Sequence, residues 1–179
     1  MCIRDRFPFR LAFSEVIRTN LKKRSWLIIS CLGQPYKATT NTGIKVYQIE
    51  NESFFEPWTK KQLLKEFEDN SFLKHIVYEK DGEVVGFYII SHILDVVEIF
   101  TIAVDKNHRA EGIGSILLDD IIKRSEASNV NEIWLEVSTK NTAAIKLYNK
   151  FGFVSQKIRK NYYQKTGEDA YNMIRKIHE

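Results

Sequence analysis

The stretch that most constrains the fold runs from Val96 to Ile122, VVEIFTIAVDKNHRAEGIGSILLDDII. Its first half, Val96 to Val104, is short and dense in β-branched and aromatic residues, which predicts a buried strand. From Ile113 onward the apolar residues Ile113, Ile116, Leu117 and Ile121, filled in by Leu118 and Ile122, fall on one face of a helix. Between strand and helix lies the turn Arg109, Ala110, Glu111, Gly112, Ile113, Gly114, Ser115. Glycines at the mouth of a helix let backbone N–H groups approach a ligand without an intervening Cβ, and the helix terminus adds partial positive charge. The turn is a seat for phosphate.

Spacing narrows the choice of phosphate compound. A P-loop needs Lys and then Ser or Thr after its second glycine, where this chain has Ser115 and Ile116. The dinucleotide fingerprint needs a glycine where Leu117 stands. What remains is R-x-x-G-x-G after a strand, a form that resembles the coenzyme A pyrophosphate loop of the GCN5-related N-acetyltransferase (GNAT) superfamily. Alone, the pattern also describes an ordinary glycine-containing turn, so the rest of the chain has to decide.

A chain of 179 residues, 44% hydrophobic, fits one globular domain with one core. No apolar run approaches the about 20 residues needed to cross a bilayer, so no membrane association is expected. Cys2 and Cys31 lie upstream of the strand–helix unit, which argues against a disulfide framework and fits a cytoplasmic location. His75, His92, His108 and His178 lack metal-ligand spacing, so no metal is expected. The net charge of +4 is unevenly spread: residues 1–33 hold seven basic and two acidic residues, leaving 20 basic and 21 acidic in the remainder. The body is therefore not basic, and nucleic acid is not an expected partner.

Residues 1–33 read as an extension of doubtful nativeness, closer to a misassigned start than to a functional arm, although Leu11 to Leu21 has the spacing of a short basic amphipathic helix. The domain is expected over 34–179. Tyr36 to Thr40 predicts an edge strand. A helix follows from Asn41 or Thr42 through Val46, Ile49 and Ser53. Thr59 and Gln62 form a capping box for a second helix that buries Leu63, Leu64 and Phe67. His75 to Glu79 and Val84 to Ser91 predict strands of a hairpin turning at Asp81-Gly82, with Gly86 marking a bulge or a close backbone approach. Asn131 to Ser138 is a further strand, parallel to Val96–Val104 through a right-handed crossover. Asn141 opens a helix that stops at Gly152, and Phe153 to Tyr163 and Ala170 to Ile177 are the closing strands. The expected fold is α/β of the α+β type: a single domain with a mixed six- to seven-stranded sheet flanked by helices.

Trp134-Leu-Glu136-Val-Ser138, then Asn141-Thr-Ala-Ala-Ile-Lys-Leu-Tyr148 and Phe151-Gly152-Phe153, followed by Arg159 to Tyr163 and Gly167 to Met173, resembles the bacterial ribosomal-protein-alanine N-acetyltransferase family within the GNAT superfamily. Phe55-Glu56-Pro57-Trp58 is similar to that family's early loop, apart from Glu56, where Phe is common. The resemblance covers about residues 35 to 177 and implies acetyl-CoA as the donor cosubstrate. It places Phe55, Pro57, Tyr162 and Tyr163 at the acceptor, and a backbone N–H among Ile102, Ala103 and Val104 at the developing oxyanion.

Asn141 and Tyr148 are seven residues apart, so they share a helix face and suit a long, thin cofactor arm, with Asn141 bonding a pantetheine amide. Glu136 alternates with Leu135 and Val137 and so faces the other side of its strand. Acetyl transfer to an amine needs a neutral nitrogen, and an α-amine of pKa about 8 is roughly a tenth neutral at pH 7, against almost none of a lysine near 10.4. Glu136, directly or through water, is the candidate base, and Tyr148 the candidate acid for the departing thiolate. The leading expectation is a monomeric Nα-acetyltransferase acting on a protein N-terminus, plausibly the N-terminal alanine of a small-subunit ribosomal protein. The alternatives are a GNAT acetyltransferase for lysine side chains or small amines, and a coenzyme A-binding module without turnover.

Overall fold

The computed structural model describes residues 2–4, 35–37, 40–54, 57–63 and 73–178. Phe55, Leu64, Phe67 and the span Leu11 to Leu21 lie outside the described residues.

The strands are β1 (Cys2–Arg4), β2 (Tyr36–Lys37), β3 (Leu73–Lys80), β4 (Glu83–Ile93), β5 (Val96–Val104), β6 (Glu132–Ser138), β7 (Val154–Tyr163) and β8 (Glu168–Lys176). Helices among the described residues include α1 (Thr40–Ser53), α2 (Ile113–Glu126) and α3 (Thr142–Lys150), with a 3₁₀ turn at Lys106–His108. One mixed sheet runs β2-β3-β4-β5-β6-β8-β7, and β1 pairs with β5 off that path. Seven strands on the path agree with the expected count, and the expected parallel crossover is the β5–α2–β6 unit.

α2 and α3 cover one face of the sheet. Ile113, Leu117, Leu118, Ile121 and Ile122 of α2 are buried there with Ile99, Ile102, Val104, Leu135 and Val137. Each such side chain stabilises the fold by about 1.5–3 kcal/mol. Leu117, fully buried, should cost about 2–5 kcal/mol when cut to alanine. The other face carries a smaller cluster, in which Val46 and Ile49 of α1 meet Trp58, Leu63, Val77, Phe87 and Ala103. The capping box is present: Thr59 N donates to Gln62 Oε1 at 3.0 Å and Gln62 N to Thr59 Oγ1 at 3.3 Å.

Gly86 shows why a glycine interrupts an otherwise bulky strand. A Cβ there would stand 3.1 Å from side-chain atoms of both Ile113 and Leu117, and 3.2 Å from the Ala103 carbonyl. The first turn of α2 therefore sits directly against β4, which sets the mouth of α2 over the end of β5. A register shift between Tyr78 and Glu79 adds the bulge beside it. At the other end of α2, Tyr88 donates to Asp120 at 2.6 Å and Arg124 spans Asp120 at 2.7 Å and the Pro35 carbonyl at 3.0 Å. Burial pushes the Tyr88 hydroxyl well above its ordinary pKa, with the neighbouring Asp120 adding to it. This network pins the chain at Pro35.

Candidate active site

The β5–β6 pairing carries the geometry of the site. It runs Val96↔Glu132 to Ile99↔Leu135 and stops there, while β5 continues to Val104 and β6 to Ser138. Phe100 is the extra residue of a bulge, because Ile89 pairs with Thr101 and Ile90 with Ile99. Bulges bend and twist a strand, and beyond this one β5 parts from β6. The freed edge of β5 accepts an extended chain: β1 lies on it antiparallel, Cys2 opposite Ala103, Ile3 opposite Ile102 and Arg4 opposite Thr101.

Glu136 is the first residue of β6 past the last pair. Leu135 and Val137 belong to the core under α2 and α3, so Glu136 projects to the opposite face, as alternation requires. It is only 4% exposed. One carboxylate oxygen accepts from the Arg159 guanidinium, and the other is buried without a hydrogen-bond partner among the described residues. The Arg159 guanidinium in turn stacks 4.5 Å above the Tyr162 ring, and Tyr162 meets Tyr163 edge-to-face at 5.1 Å. The fold thus links the expected base to both expected acceptor-site tyrosines through Arg159, a residue that the sequence pattern marks only as part of the closing hairpin. Pro57, half-buried, precedes Trp58, whose amide donates to the buried Glu50 carboxylate at 3.3 Å; this fastens the early loop onto α1.

Tyr148 lies in the core on the other face, fully buried, its ring edge-on to Phe153 at 5.7 Å. Glu136 and Tyr148 therefore flank the parted strands from opposite sides. Ile102 and Val104 share Tyr148's face and Ala103 the other.

At the end of β5 the loop bends through two left-handed residues, Ala110 at φ 65° and Gly112 at φ 83°. Gly112 is the N-cap of α2 and supplies no side-chain cap; a Cβ on it would meet nothing within 4 Å, so the space over the helix mouth is open. The amides of Ser115 and Ile116 bond back to Gly112 O at 2.9 and 3.2 Å, and those before them lie ahead of the helical ladder. Arg109 turns away from this mouth, donating to Val104 O at 3.3 Å and Ser53 Oγ at 3.4 Å. Glu111 is held by Lys80 at 2.8 Å, and that hydrogen bond, with His108, keeps its carboxyl below the ordinary range. Asn141 caps α3, its side-chain oxygen accepting from the Ala144 amide at 3.2 Å.

Residues 44–153 match the sequence model of the acetyltransferase (GNAT) family. The chain belongs to that family. It is accordingly an acyltransferase of a family that uses acetyl-CoA. Among relatives, the [ribosomal protein bS18]-alanine N-acetyltransferase of Escherichia coli K12 is 36% identical over 131 residues, 71% of this chain and 86% of its own. The crystal structure of the ribosomal-protein-S18-alanine N-acetyltransferase from Escherichia coli superposes with a TM-score of 0.74 at 32% identity, covering 81% of this chain and 94% of that one. That of Ard1 from Thermoplasma volcanium gives 0.73 at 31%, covering 83% and 100%.

In this GNAT enzyme the mouth of α2 at Gly112 is open, and the edge of β5 beyond the last β5–β6 pair carries β1 at Thr101 to Ala103. No helix among the described residues is long and apolar enough to cross a membrane.

Proposed function

We propose that this enzyme transfers acetyl from acetyl-CoA to the free α-amine of a protein N-terminus, with the N-terminal alanine of ribosomal protein bS18 as its acceptor in a cytoplasmic, monomeric enzyme. One observation carries the proposal: Glu136, buried at the point where β5 and β6 part, keeps one oxygen open for a donor while Arg159 holds the other. The acceptor itself is suggested by the names of the Escherichia coli relatives.

Acetyl-CoA supplies an activated thioester. Gly112, Ile113 and Gly114 bind its pyrophosphate through backbone amides, with Ala110 and Gly112 giving the loop its left-handed bends and Arg109, Glu111 and Ser115 fixing its ends. Asn141 bonds the pantetheine arm. Glu136 Oε2 receives one proton from the incoming ammonium; Tyr148 delivers one to the departing sulfur and regains the second proton that the nitrogen sheds as the amide forms. A backbone N–H among Ile102, Ala103 and Val104 faces the carbonyl oxygen. Pro57, Tyr162 and Tyr163, with Phe55 beyond the described residues, wall the acceptor so that only a chain end enters. An α-amine, about a tenth neutral at pH 7, needs only a modest base, unlike a lysine near 10.4.

The test pairs two peptides of one sequence with acetyl-CoA. The peptide with free N-terminal alanine should gain one acetyl group at its first nitrogen by intact mass. Its counterpart, with a blocked N-terminus and an internal lysine, should be almost inert. Efficient acetylation of that lysine would assign the enzyme to side-chain amines and overturn the proposal.

A further inference from the structure

β7 and β8 fall out of step at the base of the closing hairpin. Arg159 pairs with Ala170 and Tyr163 with Glu168, so Lys160, Asn161 and Tyr162 stand against Asp169 alone. Asn161 takes the left-handed region at φ 55°. The Asp169 carboxylate fastens the bulge, accepting from the Asn161 amide at 2.9 Å and from Lys160 Nζ at 2.7 Å. In an unbroken strand, residues three apart leave opposite faces. Inside this bulge Tyr162 instead lies against Arg159, whose guanidinium carbon is 4.5 Å from the centre of the Tyr162 ring. The same guanidinium donates through Nη1 to Glu136 Oε1.

A guanidinium is flat, with its donors in the plane and its faces free to stack. One such group can therefore hold a carboxylate by its edge and an aromatic ring by its face at the same time. A buried carboxylate needs a charged partner, and Glu136 is 4% exposed, but a plain ion pair would meet that need without the ring. The contacts from Glu136 through Arg159 to Tyr162 end on each side at a buried polar atom, Glu136 Oε2 and Tyr162 Oη, that has no hydrogen-bond partner among the described residues. Buried polar atoms are almost always paired, so both ends of this contact chain point to an incoming ligand. We propose that Arg159 is the positioning residue of the acceptor site. Its bond to Oε1 leaves Oε2 as the oxygen that takes the proton, and its stack fixes the Tyr162 ring that walls the acceptor. Arg159 touches no reacting atom; it makes the orientation of the base and the seating of the acceptor depend on one side chain. This inference rests on the α-amine reading above and deepens it.

The test is a pair of double-variant cycles on the full chain, with the free-alanine peptide as acceptor. Steady-state kcat and peptide KM, acetyl-CoA affinity by calorimetry and the thermal midpoint are measured for each variant. Glu136→Gln replaces the base with a neutral side chain, so adding Arg159→Met to it leaves no unpaired buried charge and the double variant should fold. Relative to Glu136→Gln alone, the double variant should lose no further kcat, because Arg159 acts on the proton step only through Glu136. Its peptide KM should rise about 10-fold, the equivalent of about 1.4 kcal/mol, as the Tyr162 ring loses its support. With chemistry slowed in both, that KM reads peptide binding. In a Tyr162→Leu background the split reverses: Arg159→Met should lower kcat about 10-fold, part of the worth of a positioned base, with no further rise in KM. Acetyl-CoA affinity should be unchanged throughout. A further 10-fold loss of kcat on adding Arg159→Met to Glu136→Gln would overturn the proposal, because the arginine would then act independently of the base. So would an unchanged peptide KM in that double variant, or a single Arg159→Met that lowers the thermal midpoint alone. If the single variant does not fold, the comparison of the Glu136→Gln double variant with Glu136→Gln decides by itself. Failure of the wild type to acetylate the free-alanine peptide is a separate result that sinks the α-amine reading and this inference with it.

Discussion

Glu136 meets two demands that oppose each other. As a base it must keep an oxygen open to a proton, while as a buried carboxylate it must be compensated. Arg159 resolves the conflict by binding one oxygen and leaving the other. Glu136→Gln still offers Arg159 an acceptor oxygen, so its thermal midpoint should stay close to wild type while kcat falls about 10²-fold or more, the usual worth of a positioned base. Tyr148→Phe keeps the ring that packs against Phe153 and should likewise lose turnover without losing fold or acetyl-CoA affinity. Stopped assays and calorimetry on the two variants and their double check both roles; full activity in the double variant would remove them. Alternation along WLEVS makes the direction of Glu136 readable from sequence. Arg159 is not readable in that way. It stands 23 residues from Glu136 in sequence and meets it only through the pairing of β6, β8 and β7.

At the scale of elements, two glycines set the cofactor mouth for different reasons. Gly112 needs its φ of 83° and the open space above it. Gly112→Val should therefore weaken acetyl-CoA binding strongly, whereas Arg109→Ala, which removes bonds directed away from the mouth, should weaken it less; equal affinities by calorimetry would contradict the assignment. Gly86 needs no unusual φ, only the absence of a side chain under Ile113 and Leu117. Gly86→Ala forces α2 outward by a few tenths of an ångström, and overpacking of this kind costs about 1–3 kcal/mol. Affinity for acetyl-CoA should drop with it, since the mouth rides on the same turn. Across the cleft, Ser138 donates to Glu168 and Lys140 bridges to the same carboxylate at 3.2 Å, closing β6 onto the start of β8. The Ser138 hydroxyl, with Lys140, holds the Glu168 carboxyl below its ordinary pKa. A depressed carboxylate adds stability above its unfolded pKa of about 4.3 and loses it as pH falls through the lower folded value. The midpoint gap between wild type and Ser138→Ala should accordingly be full at neutral pH and shrink as the solution is acidified below that range. A gap that does not change with pH would separate the clamp from Glu168 ionisation. The elements themselves were legible because their turns carry chemistry, as at Asp81-Gly82 and the Asn141 cap. Their ends were less so: α1 begins at Thr40 and β8 at Glu168, earlier than the spacing suggested, and β8 gains its start from the pairing of Glu168 with Tyr163.

For the molecule as a whole, the mixed sheet of an acetyltransferase followed from the order of its motifs, and the family match bears that fold out. What the motifs could not show is where β5 and β6 part, since that follows a bulge at Phe100 that appears only in the register against β4. Nor could they show β1. Residues 2–4 lie on the β5 edge at Thr101 to Ala103, the same edge that the cofactor arm of the proposed reaction would use. Against this stands the anchoring of Pro35 by Arg124, which ties the chain to α2 just after residue 34. If the domain is self-sufficient from residue 34, a chain starting at Gln34 should keep its thermal midpoint, since among the described residues it gives up the β1 ladder and no member of either core cluster. Its affinity for acetyl-CoA should equal or exceed that of the full chain, because a strand competing for Thr101 to Ala103 has been removed. Differential scanning calorimetry and titration with acetyl-CoA read both quantities. A midpoint lower by more than the about 4 °C that roughly 1 kcal/mol produces in a domain of this size would make residues 1–33 part of the folding unit. Weaker acetyl-CoA binding in the shortened chain would make them part of the cofactor site.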